Sequence, residues 1–128
     1  MEKYINEGTT KFPTIEFDLK TGVLNINGYS IPEDPIGFYA PLLEAVETYS
    51  NKMAPTTVVN IRLEYFNTGS SKWLLEVFKK FEAVHNGGSP VVINWEYVAE
   101  DEDMLEAGKD YQDIVNVPFQ VIEVEEKD

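Results

Sequence analysis

The stretch Phe66-Asn67-Thr68-Gly69-Ser70-Ser71 decides how the chain is read. Before it, Thr56 to Tyr65 alternates: Val59, Ile61, Leu63 and Tyr65 face one way, and Val58, Asn60, Arg62 and Glu64 the other. Period two marks a strand buried on one face. After it, Leu74, Phe78 and Phe81 recur at helical spacing through to about His85, with Leu75 and Val77 flanking and Trp73, Val77, Lys80 and Val84 as a second stripe. The six residues are therefore a strand-to-helix turn rich in hydroxyls. Asn67 or Thr68 can cap the helix by accepting hydrogen bonds from its unpaired first amides. Those amides also favour negative charge, so a phosphoryl group on Thr68 would be stabilised there. Plain capping and a phosphoacceptor are both open on these residues alone.

Upstream, Thr14 to Leu19 and Val23 to Asn27 alternate and are joined through Lys20-Thr21-Gly22, which reads as a hairpin. Residues 1–12 form an extended arm whose Tyr4-Ile5 can add an edge strand. Asp34-Pro35 opens a helix to about Ser50, with Ile36, Tyr39, Leu42, Leu43, Val46 and Tyr49 on its apolar side. Pro41 inside it predicts a kink or a late start. Downstream, Asn86-Gly87-Gly88 and Pro90 stop the second helix. Val91 to Tyr97 is a strand, Asp101 to Lys109 a helix with an acidic first turn, Val117 to Val124 a last strand, and 125–128 a frayed tail. Strands polar on one face argue for a sheet covered by helices on one side only. Helical crossovers make the central strands parallel behind an antiparallel opening hairpin. The fold class is α/β (α+β), a single domain over residues 1–128.

Composition narrows the function. Twenty-three acidic residues against ten basic ones give a net charge of −13. Binding to a nucleic-acid backbone or an anionic membrane surface is disfavoured. With no cysteine there is no disulfide, thiolate metal site or cysteine nucleophile. The N-terminus carries no signal pattern and no apolar run approaches the roughly 20 residues of a membrane helix, so a cytoplasmic protein is expected. There is no phosphate-binding loop and no dinucleotide fingerprint. His85, the one histidine, lies about 25 Å along the helix from Thr68, far beyond the ~3 Å reach of a general base; it packs at, or stabilises, the helix end. Glu100-Asp101-Glu102-Asp103 lacks the glycine and distal glutamate of an EF-hand and reads as a solvated helix start, not a metal site. Trp95 reads as core. Trp73, one turn from Thr68, is either packed or a partner anchor.

The strand order with this turn resembles the STAS domain, whose anti-sigma-factor antagonists switch partners on phosphorylation in an Asp-Ser turn; Asn67-Thr68 stands there in this chain. The chain is more similar still to the SiaC family of STAS-like biofilm-regulation proteins. Leu63, Tyr65, Asn67, Thr68, Ser70 and Lys72 carry that likeness, with Asn94-Trp95-Glu96-Tyr97, Pro32-Glu33 and Pro118-Phe119. Gly69 departs from the family pattern, which has a serine there. The resemblance covers nearly the whole chain. It implies a STAS-like fold and a non-enzymatic signalling protein without cofactor or metal. It further implies phosphorylation of Thr68 by a dedicated kinase, removal of the phosphate by a dedicated phosphatase, and a diguanylate cyclase as possible target. Asn67, Gly69, Ser70, Ser71, Lys72 and Trp73 are then the expected docking surface. Two rival readings are a small hydrolase or transferase using Thr68 or Ser70 with Glu64 or Glu33 as base, and a scaffold pairing through the open sheet face around Arg62 and Asn94.

Overall fold

A computed structural model describes residues 2–126 of the chain. It has six strands, β1 (Lys3–Asn6), β2 (Thr14–Asp18), β3 (Val23–Ser30), β4 (Thr57–Phe66), β5 (Val91–Val98) and β6 (Phe119–Val124). Three helices connect the later strands: α1 (Pro35–Tyr49), α2 (Thr68–Asn86) and α3 (Glu102–Ile114). The sheet order is β1-β2-β3-β4-β5-β6. β1 and β2, and β2 and β3, pair antiparallel; the remaining pairs are parallel.

That order follows from local chemistry. In the β2–β3 turn the amides of Thr21 and Lys20 donate to the Asp18 carboxylate and hold its pKa below the ordinary value. Gly22 completes the turn at φ 76°, where a side chain is strained. The arm does add an edge strand, with Tyr4 opposite Phe17. Each of the three crossovers then steps one strand onward in the same direction. Right-handed connection puts all three helices on one face. The rows Leu24 and Ile26, Val59 and Ile61, Ile93 and Trp95 are fully buried beneath Leu42, Leu74 and Phe78. Fully burying each such side chain contributes about 1.5–3 kcal/mol.

The open face is tied across rather than covered. Asn25, Asn60 and Asn94 stand in register, and the Asn94 and Asn60 side-chain amides each donate to the next asparagine at 2.9 Å. Arg62 donates to the Glu125 carbonyl at 2.8 Å and lies 4.0 Å from Glu96.

Some expectations are corrected. α1 starts at Pro35, capped by Asp34, and runs without a late start; Pro41 sits on its exposed side. Ile36 is 60 % exposed and not part of the buried stripe. α3 runs five residues beyond Lys109, to Ile114. Asp101 caps it, its carboxylate accepting from the Met104 amide at 3.0 Å. Tyr65 does not share a face with Leu63. The β3–β4 register slips, so Gly28 pairs with Leu63 but Tyr29 with Tyr65, leaving Glu64 as an extra residue. Such a bulge turns the following side chains over. Tyr65 is exposed, and Phe66 packs edge-on to Trp95. Of the expected tail, Glu125 and Glu126 follow β6 without regular structure, and residues 127–128 lie outside the described residues.

Candidate functional site

The strand order never reverses, so the sheet lacks the crevice that doubly wound folds open at the carboxyl ends of their strands. What occupies that end here is the start of helices. Asn67 leaves β4 in an extended conformation (φ −86°, ψ 172°), and its side-chain oxygen accepts from the Ser70 amide at 2.9 Å. Asn67 is therefore the cap and Thr68 the first helical residue. The Ser71 amide donates to the Asn67 carbonyl at 3.1 Å. The amides of Thr68 and Gly69 are the ones that helix geometry leaves without an intrahelical acceptor.

Thr68 is exposed, as are Gly69 and Lys72. Lys72 follows Thr68 by four residues, on the same helix face. Ser71 is half-buried, and its hydroxyl donates back to the Thr68 carbonyl at 2.8 Å. Trp73 is also half-buried and packs against the core. Ser70 differs from its neighbours: it is fully buried. Its hydroxyl donates to the Ser30 carbonyl and accepts from the Ser30 hydroxyl, both at 2.9 Å. Its side chain offers nothing to a docking surface. As a nucleophile it lacks a base, since its proton already goes to a carbonyl, and Glu33 and Glu64 are both exposed. The helical stripe carried the signal for this burial, because Ser70, Leu74 and Phe78 are four residues apart.

Several residues that shape the site were not legible beforehand. Ser30 closes β3, and its carbonyl accepts from the Asn67 amide at 3.0 Å as well as from Ser70. Tyr39 of α1 hydrogen-bonds the Ser30 hydroxyl; burial pushes the Tyr39 phenol up to about 12. Tyr111 of α3 donates to the Ser71 carbonyl at 2.7 Å, and burial raises its pKa too. A Cβ on Gly69 would lie 3.1 Å from Pro35 Cγ, which gives a steric reason for glycine at this position. Beside the turn, Phe66, Leu75, Tyr111 and Ile114 line a shallow apolar groove with Lys72 at its edge. At the far end of α2, the His85 Nδ1 accepts from the Val91 amide at 3.0 Å and so fastens the start of β5. Among the described residues no helix is long and apolar enough to cross a membrane.

Comparison with known proteins bears on this geometry. The family model described as "SiaC family regulatory phosphoprotein" matches residues 6–124. A protein of Pseudomonas aeruginosa strain UCBPP-PA14 is 28% identical over 114 residues, covering 89% of this chain and 90% of its own length. The fold matches apo-SiaC of Pseudomonas aeruginosa with a TM-score of 0.86 at 26% identity, over 95% of this chain and 99% of that one. It also matches a chain in the crystal structure of the diguanylate cyclase SiaD in complex with its activator SiaC, from the same organism. There the TM-score is 0.87 at 26% identity, over 94% of this chain and 99% of that one. By the extent of the family match, this chain belongs to the SiaC family of regulatory phosphoproteins.

Proposed function

We propose that this chain is a non-catalytic interaction protein switched by reversible phosphorylation of Thr68, with a diguanylate cyclase as its target and a kinase and a phosphatase acting on the turn. The observation that carries the proposal is the exposed Thr68 at the first position of α2, between a cap and a lysine one turn on. SiaC of Pseudomonas aeruginosa is described as the activator of its cyclase, which supports a cyclase as the target of this family member.

The mechanism is electrostatic. Unmodified, the turn docks through Asn67, Thr68, Gly69, Ser71 and Lys72, with Trp73 and the adjoining groove beneath. Phosphorylation adds about 1.5 to 2 negative charges at pH 7. In the free protein the Thr68 and Gly69 amides and Lys72 stabilise that charge. Inside an interface the same charge is desolvated and lacks partners, so the complex dissociates.

The test compares wild type, Thr68→Ala and Thr68→Asp for capture of a diguanylate cyclase from the native cell, and for stimulation of cyclic dinucleotide synthesis from GTP. Thr68→Ala should bind and stimulate; Thr68→Asp should do neither. Equal capture by all three, or no phosphate on Thr68 by mass spectrometry of the native protein, defeats the proposal.

A further inference from the structure

We infer that Tyr39, acting through Ser30 and Ser70, is a positioning residue for the Thr68 turn. The inference rests on the reading of Thr68 as the switch, and it concerns how the turn is held.

Thr68 and Gly69 form a two-residue span between two anchored residues, and both anchors go to Ser30. The Asn67 amide and the Ser70 hydroxyl each donate to the Ser30 carbonyl, at 3.0 Å and 2.9 Å. The last residue of β3 thus clamps the helix start on either side of Thr68. The proton order beneath can be worked out. A hydroxyl has one proton to give. Ser70 gives its proton to the Ser30 carbonyl, and Ser30 gives its own to the Ser70 oxygen. The hydrogen bond between Tyr39 and Ser30 must then run from the Tyr39 phenol. The chain is directed: Tyr39 to Ser30, Ser30 to Ser70, Ser70 to the Ser30 carbonyl. Each proton is used, and Tyr39, Ser30 and Ser70 are all fully buried. Remove the phenol and the Ser30 oxygen loses its donor in a place water does not reach. Its hydroxyl is then free to turn, and the Ser70 anchor loosens with it.

The molecule contains its own control. α1 carries a second buried tyrosine, Tyr49, at the other end of the sheet. Its phenol meets Thr57, Thr57 meets Ser89, and Ser89 donates to the Ala54 carbonyl, each at 2.7 Å. Tyr49→Phe removes the same atom from the same kind of chain, far from Thr68.

The experiment measures amide hydrogen exchange by NMR in unmodified wild type, Tyr39→Phe, Ser30→Ala and Tyr49→Phe. Tyr39→Phe and Ser30→Ala should speed exchange of the Ser70 and Ser71 amides about tenfold while leaving the Thr57 amide within about twofold. Tyr49→Phe should leave Ser70 and Ser71 unchanged. Incubation in native-cell lysate with ATP should then phosphorylate Thr68 about threefold more slowly in Tyr39→Phe than in wild type or Tyr49→Phe, as expected of a misplaced acceptor. Unchanged exchange at Ser70 and Ser71, equal acceleration at both ends of the sheet, or altered exchange with an unaltered phosphorylation rate each overturns the inference. Failure of wild type to be phosphorylated at Thr68, by contrast, overturns the switch reading itself, while exchange still decides whether Tyr39 holds the turn.

Discussion

The two ends of the sheet are built with the same device and differ in what lies beside it. At the amino ends of the parallel strands, Tyr49 heads a chain through Thr57 and Ser89 to the Ala54 carbonyl, and the Ala54 amide donates back to the Tyr49 oxygen at 3.1 Å. At the carboxyl ends, Tyr39 heads a chain through Ser30 and Ser70. Both chains satisfy buried hydroxyls that would otherwise cost about 1–3 kcal/mol each. The difference lies in what stands above them. The Tyr49 chain closes on the loop it supports, so its hydroxyls join only elements of this chain. The last hydroxyl of the Tyr39 chain, on Ser70, lies two residues from an exposed threonine on a helix start. Buried hydroxyl chemistry alone therefore does not distinguish the two ends; exposure next to uncommitted amides does.

The sharpest way to break this comparison is to place the same charge at each end. Thr68→Asp should weaken capture of the cyclase at least about tenfold, as a misplaced interface charge does. Thr56→Asp, on the exposed residue before β4 at the opposite end, should leave capture unchanged. Equal losses would mean that net charge, not the site, controls binding.

The amino end should be the less tolerant of backbone change. Gly22 has φ 76°, and a Cβ there would run into the Tyr49 phenol and the Thr56 carbonyl. Gly22→Ala should cost about 2–4 kcal/mol in urea unfolding, from strain and overpacking together.

Alkaline pH should act on the carboxyl end. The Tyr39 phenol is raised from 10.0 to about 12 in the folded protein. A raised folded pKa contributes stability below the unfolded value and loses it as pH climbs through the folded one. The unfolding free energy from urea titration should thus hold to about pH 9 and fall between about pH 10 and 12, by up to roughly 2–3 kcal/mol from Tyr39. That share belongs to Tyr39, and Tyr39→Phe should remove it. Tyr111, raised in the same direction, adds a further loss.

Smaller effects belong to the turn itself. Asn67→Ala removes the cap and should cost about 1 kcal/mol, read as a lower melting temperature. Gly69→Ser should change stability by less than about 1 kcal/mol, because the loss of a helical glycine offsets the crowding against Pro35. A large loss would show that α1 and α2 cannot separate by the few tenths of an ångström the serine needs.

Much of the fold could be read from the chain because its signals are local. Alternation in residues 14–19, 23–27 and 58–63, the Asp34 cap and the stop at Gly87 each depend on neighbours within a few positions. The face of Tyr65 could not be read, because the bulge at Glu64 is a property of the β3–β4 pairing and not of β4 alone. Where α1 begins could not be read from Pro41, because the Asp34 cap starts the helix at Pro35 and the proline ring lies on the exposed side.

By itself, the sequence determined the element order, the single covered face of the sheet and the position of a hydroxyl-rich helix start, since backbone geometry and burial periodicity act over a few residues. Tertiary structure alone decided which partners lock the inward hydroxyl of that start in place. Ser70 finds its partner 40 residues away in Ser30, and Ser30 finds its donor in Tyr39 of another helix. Such pairings exist only once the strands and helices have closed on one another and excluded the water that would otherwise serve every hydroxyl equally.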